Sequence, residues 1–385
     1  MKIRKKVQNS LLAAFVCLSL SAGTAWAMPS GGEVKVGNVD ISNPANIQVN
    51  SKGLIDWEKF SIGQGENVNF AFGSGSGLEI INHVIGSEAS SILGTLSSTG
   101  NGHITLINPN GITVGGTAVI DVAGLTLSTL QVSDSVLQDY LNGSGNLVLG
   151  DGGTNTAMIK VEDGANIKFG ELLEMYGGKV QIADGVTISN GNAGISLGVT
   201  DDNGQDSYLA IGAVNSVAPA RVSYEDFWME SSDANTLEIG AATIQTDNNR
   251  AIDMDLFGGN TTLKGTTITG TQIGLVAGTS FGPNSPSVGG TAANTLTLNN
   301  AKVSTANDLI YLLGGNISVL NNSKVEAKDY VKVNTYWHGN GKVNINKSAI
   351  ISNSDDISID AKAVKISQSS LDADEIDVVA AKVLD

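Results

Sequence analysis

The sequence has little cysteine and arginine and is poor in basic residues altogether. Its one cysteine, Cys17, lies in an apolar run near the N-terminus, so the rest of the chain can form no disulfide. Beyond residue 27 there are 18 basic residues, of which only Arg221 and Arg250 are arginines, against 38 acidic ones, a formal charge of −20. A surface of this sign repels phosphate backbones, which excludes nucleic acid as a partner.

Long apolar runs are also missing after the N-terminus, where no stretch reaches the roughly 18 consecutive apolar residues of a membrane-spanning helix. The N-terminus itself combines four basic residues, the apolar run 11–20 and the small-x-small sequence Ala25-Trp26-Ala27. This order is typical of a secretory signal peptide over residues 1–27, cleaved after Ala27. The alternative, a retained anchor, is disfavoured because the apolar run is too short to span a bilayer.

Helical periodicity is nearly absent, and a short phrase recurs instead: an alternating strand, a polar corner, and one or two apolar residues. The phrase ends at Ile244, Ile268, Val303, Val325, Ile350 and Leu371. The intervals are 24, 35, 22, 25 and 21 residues, and a related pair upstream repeats at 21 residues, from Asp163 to Asp184. The long interval contains the Gly/Ser/Pro-rich segment 278–294, which predicts an inserted surface loop.

Short alternating strands with polar corners at this spacing predict an all-β protein, a right-handed parallel β-helix with extra-helical loops. One coil cannot bury its inward row of aliphatic side chains, but coils stacked about 4.8 Å apart form a continuous core. Residues 28–60 are predicted to cap the N-terminal end, because an open coil would expose unpaired strand edges. A β-sandwich is the alternative, although its strands would not normally recur with the same polar corner.

The stretch 102–116 contains a tetrapeptide with the chemistry of a tight turn. Asn108 and Pro109 suit the first two positions of a type I turn, and Gly111 suits the fourth. The β-branched and apolar runs 104–107 and 112–114 flank it. The sequence therefore predicts a turn between two strands.

Four further pieces of sequence precede this turn in a fixed order. With the turn itself they are Ile55-Asp56-Trp57 with Phe60-Ser61-Ile62-Gly63; Val68-Asn69-Phe70; Ile81-Asn82-His83-Val84 with Gly86; Ile92-Leu93-Gly94 with Leu96; and Leu106-Ile107-Asn108-Pro109-Asn110-Gly111-Ile112. Together they resemble the N-terminal secretion domain of two-partner secretion exoproteins of the filamentous-haemagglutinin type. The match is close over 54–130 and looser to about residue 215. A second family motif, Asn-Pro-Asn-Leu, is missing, so the chain is not placed in the best-known branch.

The resemblance implies a route of export and a partner. Family members cross the inner membrane, and the periplasmic domains of a cognate outer-membrane transporter then recognise the N-terminal domain and pass the chain outward. Together with the N-terminal residues and the recurring phrase, the resemblance predicts three parts of the chain: a signal peptide over 1–27, a secretion domain with its cap over 28–215, and continuing β-helix repeats over 216–385. The motif 108–112 has two open roles, which do not exclude each other: fixing a corner of the coil, or forming part of what the transporter reads.

The resemblance also implies a secreted, non-enzymatic surface protein of a diderm bacterium, adhesin-like, which binds a host surface protein or glycan. One alternative is the secretion head of a larger haemolysin or contact-dependent toxin. A β-helix enzyme that degrades polysaccharides is a weaker alternative, because such sites cluster carboxylates with basic residues and the sequence shows no such recurrence. An autotransporter passenger is disfavoured, since the C-terminal residues lack the amphipathic aromatic strands of a barrel.

The histidines, acidic pairs and aromatic segments of the sequence indicate no catalytic residue, no metal site and no cofactor. His83, His103 and His338 lie far apart without ligand spacing, and His83 is expected to be a satisfied polar residue near the coil wall. The acidic pairs 201–202 and 355–356 are expected to be solvated corners. The aromatic segments 224–232 and 335–342 are each either a flap packed on the coils or an exposed recognition patch.

Overall fold

The fold is taken from a computed structural model, which describes residues 27–151, 153–191, 207–219, 227–246, 252–282, 288–335 and 341–384. Residues 1–26 of the predicted signal peptide lie outside the described residues, as do His338, Arg221, Arg250 and the acidic pair 201–202, and cleavage after Ala27 stays a prediction. In the described part of the chain no helix is both long and apolar enough to cross a membrane.

Short strands make up nearly all of the regular structure. Those that precede the single described helix are β1 (Glu33–Val36), β2 (Val39–Asp40), β3 (Asn46–Val49), β4 (Gly53–Trp57), β5 (Asn67–Phe72), β6 (Leu78–Val84), β7 (Ser90–Ile92), β8 (Thr95–Thr99), β9 (Gly102–Ile107), β10 (Ile112–Val114) and β11 (Val119–Ser128). The helix is α1 (Asp134–Leu141).

The strands after the helix continue the same pattern. They are β12 (Met158–Val161), β13 (Asn166–Gly177), β14 (Lys179–Ile182), β15 (Thr187–Asn190), β16 (Ser207–Ala213), β17 (Ser216–Ala218), β18 (Trp228–Glu230), β19 (Thr236–Ile239), β20 (Thr243–Gln245), β21 (Ile252–Gly258), β22 (Asn260–Lys264), β23 (Thr267–Gly270), β24 (Gln272–Ala277) and β25 (Ser280–Phe281). The last are β26 (Thr295–Asn299), β27 (Lys302–Thr305), β28 (Ile310–Leu313), β29 (Asn316–Leu320), β30 (Lys324–Ala327), β31 (Val331–Asn334), β32 (Lys342–Asn346), β33 (Ala349–Ser352), β34 (Ile357–Ser367), β35 (Ser370–Asp372) and β36 (Ile376–Leu384).

Parallel pairing between successive coils arranges these strands into three faces of a right-handed β-helix, which confirms the predicted fold class. Face A runs through β3, β5, β8, β11, β13, β15, β20, β23, β27, β30, β33 and β35. Face B runs through β4, β6, β9, β11, β13, β16, β21, β24, β28, β31, β34 and β36. Face C runs through β7, β10, β12, β14, β19, β22, β26, β29, β32 and β34.

The repeat that the sequence predicts matches the register residue for residue. Ile244 pairs with Ile268, and the pairing continues through Val303, Val325 and Ile350 to Leu371. The polar corner before five of these six strands uses a left-handed backbone conformation, and the corner before Ile244 does not. The corner residues with positive φ are Gly265, Asn300, Asn321, Asn322, Lys347 and Gln368. Asn and Gly adopt this conformation most readily, which explains why they punctuate the phrase.

Inside the coils, aliphatic side chains from equivalent positions stack into rows. One row on face A runs from Val68 through Leu96, Ile120, Ile167 and Ile188 to Ile244, and all six side chains are fully buried. Burying one such side chain stabilises the fold by about 1.5–3 kcal/mol. Since no single coil completes this core, neighbouring coils must supply the stability.

The N-terminal end is closed by strands that run against the coil direction. β1 pairs antiparallel with β4, and β2 pairs antiparallel with β3. The side chains of Val34, Val39 and Ile41 pack against the first core residues. This pairing occupies edges that would otherwise be free to pair with another chain.

A second apolar cluster covers the outer surface of face B. Helix α1 and an antiparallel sheet of β17, β18 and β25 pack over Tyr176, Tyr208 and Phe257. Phe227 is buried and meets Tyr208 edge-on, with ring centroids 5.3 Å apart. In the segment 224–232 the described residues 227–232 therefore form a packed flap, while 336–340 of the other aromatic segment lie outside the described residues.

A buried acid beneath this flap predicts a pH-dependent stability. The Tyr208 hydroxyl donates to Asp255 Oδ2, but burial raises the pKa of Asp255 to about 7, and the nearby charge of Asp253 adds to the rise. The folded state therefore holds this proton more tightly than the unfolded state. Its contribution is complete below about pH 3.8 and is lost as the pH rises through about 7.

The variant Asp255→Asn mimics the neutral acid. Between about pH 5 and pH 8 we expect the free energy of unfolding of the wild type to fall by about 3 kcal/mol more than that of the variant. Urea unfolding of both proteins at the two pH values measures this difference. Equal pH dependence of the two proteins would contradict a raised pKa at this position.

Candidate functional site at the Asn-Pro-Asn-Gly turn

The tetrapeptide 108–111 forms the predicted turn, between β9 and β10. The Gly111 backbone N–H donates to the Asn108 carbonyl over 3.0 Å, and Gly111 has a φ of +117°. Ile112 then enters the core with 1% of its surface exposed. The chain thus leaves face B and begins face C within four residues.

Asn108 is fully buried and holds the turn in two ways. Its Oδ1 accepts from the backbone N–H of Asn110 over 2.9 Å and from the Asn110 side-chain amide over 3.0 Å. Its own amide donates to the Glu88 carbonyl and to Ser90 Oγ, both over 2.9 Å, in the preceding coil. The first pair of bonds lies within the tetrapeptide, whereas the second pair requires the neighbouring coil.

Only part of the motif reaches the surface. Asn108, Gly111 and Ile112 are buried, Pro109 is partly exposed, and Asn110 is exposed. The Asn110 amide also donates to the Gly86 carbonyl over 2.8 Å, at the outer edge of the preceding coil. The structural role of the motif therefore falls on Asn108, Gly111 and Ile112, and a binding partner could reach Pro109 and Asn110.

Pro109 and Asn110 border an open cleft of about 790 Å³ on the outside of face B. His83 and Gly86 line the coil side of this cleft, and Ser133 and Val136 line the opposite side. Ile85 also lines it, with 57% of its surface exposed. Helix α1 thus forms one wall of the cleft beside the turn.

Helix α1 is capped at its N-terminus and anchored to the coils near its C-terminus. Ser133 caps its N-terminus and accepts from the Val136 backbone N–H over 3.4 Å. At the other end the Tyr140 hydroxyl donates to Glu79 Oε2 over 2.7 Å, and the Lys52 ammonium lies 5.5 Å from the centre of the Tyr140 ring. Burial raises the pKa of Tyr140 to about 12, and the charge of Glu174 adds to the rise, so the hydroxyl stays protonated.

A row of buried polar side chains runs across face B beneath the helix. Thr126 Oγ1 donates to Glu174 Oε2 over 2.6 Å and lies 2.7 Å from His103 Nε2. Since that hydroxyl has already given its one proton to Glu174, the Nε2–H of His103 donates to it. Burial lowers the pKa of His103 to about 3, so this ring is neutral.

His83 lies at the mouth of the cleft between two carboxylates. Its Nδ1 is 3.1 Å from Asp56 Oδ1 and 3.5 Å from Asp134 Oδ1. Lys35 Nζ lies 3.9 Å from the other oxygen of Asp56. As expected, His83 is a polar residue with partners at the coil wall; that both partners are carboxylates was not foreseen.

Several of the other family-match residues build the first coils. The Trp57 indole N–H donates to Asn82 Oδ1 over 3.0 Å, and the Asn82 amide donates to the Thr105 carbonyl over 3.1 Å. Phe60 stacks on Phe70 with ring centroids 6.5 Å apart. Trp57, Phe60, Phe70, Asn82 and Val84 are all buried, so their surroundings are those of packing residues.

The family-match glycines mark close approaches between coils. A Cβ on Gly86 would lie 2.0 Å from the Glu58 carbonyl oxygen, and one on Gly94 would lie 2.3 Å from the Glu66 carbonyl oxygen. Gly63 donates its backbone N–H to Glu66 Oε2 over 2.7 Å. Asn69 lies on the outer surface, where its amide donates to Asn46 Oδ1 over 2.8 Å, and Leu93 is partly exposed.

Sequence reasoning missed the helical wall of the cleft and the grouping around His83. A local signal for the helix was present, because Ser133 precedes Val136, Leu137, Tyr140 and Leu141, which recur with helical spacing. The grouping had no local signal, since its three side chains are 27 and 51 residues apart in the chain.

The chain is similar to a known protein family and to two curated proteins. A family model described as the TPS secretion domain matches residues 21–225. A heme/hemopexin-binding protein of Haemophilus influenzae is 31% identical over 208 residues, which cover 52% of this chain and 21% of that protein. A second heme/hemopexin-binding protein of Haemophilus influenzae is 34% identical over 125 residues, 30% of this chain and 13% of its own length. The chain thus spans about a fifth or less of these relatives.

Among solved structures, the secretion domain of HMW1 from Haemophilus influenzae superimposes with a TM-score of 0.58. The superposition covers 91% of this chain and all of that chain at 15% sequence identity. At this identity the likeness concerns the fold, a long β-helix.

Proposed function

Because the chain belongs to the family of TPS secretion domains, the domains that start two-partner secretion, we propose that its N-terminal part is the export signal of a secreted exoprotein. A cognate outer-membrane transporter would recognise this part in the periplasm and pass the chain to the cell surface. The proposed domain spans 28–215, and the coils over 216–385 follow it as the surface-exposed rod.

The proposal rests on the two parts of the motif 108–112: Asn108, Gly111 and Ile112 are buried, whereas Pro109 and Asn110 reach the surface. The bonds that join Asn108 to Asn110 and Gly111 lie within the tetrapeptide, so the turn can form before any coil has stacked. A transporter that meets an unfolded chain would find there a local shape with an exposed proline and an exposed amide. We propose that Pro109 and Asn110 are the part that the transporter reads.

For the exported rod we propose a non-enzymatic, adhesin-like role in which it binds a host surface protein or glycan. The scarcity of arginine in the sequence supports this, because β-helix enzymes that cleave polysaccharides pair carboxylates with basic residues. In the described part of the chain only one group of three His, Cys, Asp or Glu side chains is close enough to hold an ion, and it lies at the N-terminal cleft.

The recognition step can be tested with purified components. We expect the chain, freshly diluted from denaturant, to bind the transporter's periplasmic domains, and Asn110→Ala to weaken binding about tenfold, or about 1.4 kcal/mol. Long-range parallel sheets fold slowly, which leaves time for the measurement. The matched control is Asn353→Ala, since Asn353 is also exposed and its amide donates to the Ala327 carbonyl over 3.0 Å in a distant coil. Equal affinity of the two variants would contradict the proposal.

A further inference from the structure

The grouping of Asp56, His83 and Asp134 has the geometry of a metal site. One ligand atom from each side chain lies within 4.8 Å of the other two. Asp56 on β4 and His83 on β6 come together because these strands pair in register, Asp56 opposite His83. Asp134 arrives from the first turn of α1, outside the coils.

The distances from His83 Nδ1 to the two carboxylate oxygens suit ligands of a common ion. A zinc ion binds imidazole nitrogen and carboxylate oxygen at about 2.0–2.2 Å, so two of its ligands lie about 3.0 Å apart at a right angle and about 3.4 Å apart at the tetrahedral angle. His83 Nδ1 lies 3.1 Å from one carboxylate oxygen and 3.5 Å from the other. An ion that replaces the proton on Nδ1 could therefore contact all three groups after small shifts.

The charges around the site favour a cation. Two carboxylates face one imidazole. Among the described residues, the only ammonium paired with either carboxylate is that of Lys35. It lies 3.9 Å from Asp56 Oδ2, the oxygen that does not face His83. Asp56 Oδ1 is thereby left directed at the ring. Because Asp56 and His83 are 4% and 8% exposed, the two coil ligands are already held in place and shielded from water.

We propose that Asp56, His83 and Asp134 bind a divalent transition-metal ion of the zinc class, with water from the adjoining cleft as the fourth ligand. The imidazole ligand sets this class apart from calcium and magnesium, which take oxygen ligands. The ion would tie the first turn of α1 to the wall of face B and so fix the width of the cleft beside Pro109. This inference stands apart from recognition by the transporter.

The test is zinc binding to the purified, folded full chain after treatment with a chelator. We expect one Zn²⁺ per chain by isothermal titration calorimetry and a higher melting temperature with Zn²⁺ than with Mg²⁺ or Ca²⁺. Asp134→Asn should weaken Zn²⁺ binding at least about tenfold, because an amide replaces a charged ligand. Asp134 is exposed, so this variant should melt like the wild type when no metal is added.

Two further variants complete the design. His83→Asn keeps an N–H donor near the Nδ1 position and can retain the bond to Asp56, yet it removes the imidazole ligand, so Zn²⁺ binding should again be lost. Asp139→Asn removes an exposed carboxylate from the same helix outside the grouping and should bind Zn²⁺ like the wild type. Absence of saturable Zn²⁺ binding by the wild type, or equal binding by Asp134→Asn, would overturn the proposal.

Discussion

In cells that lack the cognate outer-membrane transporter, the chain is expected to disappear from the cell surface and the medium and to stay in the periplasm, exposed to proteolysis. The expected loss is nearly complete, because the proposed route offers no second exit across the outer membrane. Stacking explains how the exported chain folds outside the cell. Each coil stabilises the next, so a chain passed outward from its N-terminus can fold coil by coil as it emerges.

The retained chain is also expected to be degraded. In the periplasm it would expose strand edges and aliphatic rows that the folded rod buries. Immunoblots of medium, surface-exposed and periplasmic fractions, with a periplasmic marker to detect leakage, measure the distribution. Expression of the transporter from a plasmid should restore export, and unchanged surface display in the deletion strain would refute the proposed route.

The fold could be predicted along most of the chain because each repeat depends on residues that are close together in the sequence. The phrases that end at Ile268 and Val303 pair in the structure although the insertion 278–294 separates them, since the polar corner and the inward aliphatic residue recur around it. The antiparallel flap of β17, β18 and β25 could not be predicted in this way. Its strands have two or three residues and pair across a long stretch of chain, so they carry no period.

The candidate site was predictable only in part. The turn at 108–111 follows from its four residues, because proline and glycine restrict the backbone locally. Its division into a buried Asn108 and an exposed Asn110 depends on the preceding coil, through Ser90 and the backbone of Gly86. The approach of His83 to Asp134 depends on where α1 docks. The docking position depends in turn on the contacts of Tyr140 with Glu79 and Lys52 and on the apolar cluster.

Two substitutions, Asn110→Ala and Ser90→Ala, separate recognition of the turn by the transporter from stability of the coil. Asn110→Ala is expected to abolish most of the export. It removes two amide bonds, to Asn108 Oδ1 and to the Gly86 carbonyl, but water can replace the partners of this exposed side chain, so the free energy of unfolding should fall by only about 0.5–1.5 kcal/mol. Ser90→Ala is the opposite case. It removes an acceptor of the buried Asn108 amide without changing an atom of the turn, so it should cost about 1–3 kcal/mol of stability and leave export intact.

These two variants exclude the simplest competing explanation, that export fails because the domain is weakened. Asn353→Ala serves again as the surface control, since it removes one exposed amide bond far from the motif. Urea unfolding of the purified chains gives the stabilities. If export followed stability across the three variants, the motif would be only a corner of the coil.

The most direct measurement is a pulse-chase experiment on Asn110→Ala and Ser90→Ala in cells that contain the same amount of transporter. The secreted amount of each variant is divided by the secreted amount of the wild type. We expect little secretion of Asn110→Ala and near wild-type secretion of the less stable Ser90→Ala. Normal secretion of Asn110→Ala would contradict the claim that the transporter reads the exposed part of the turn.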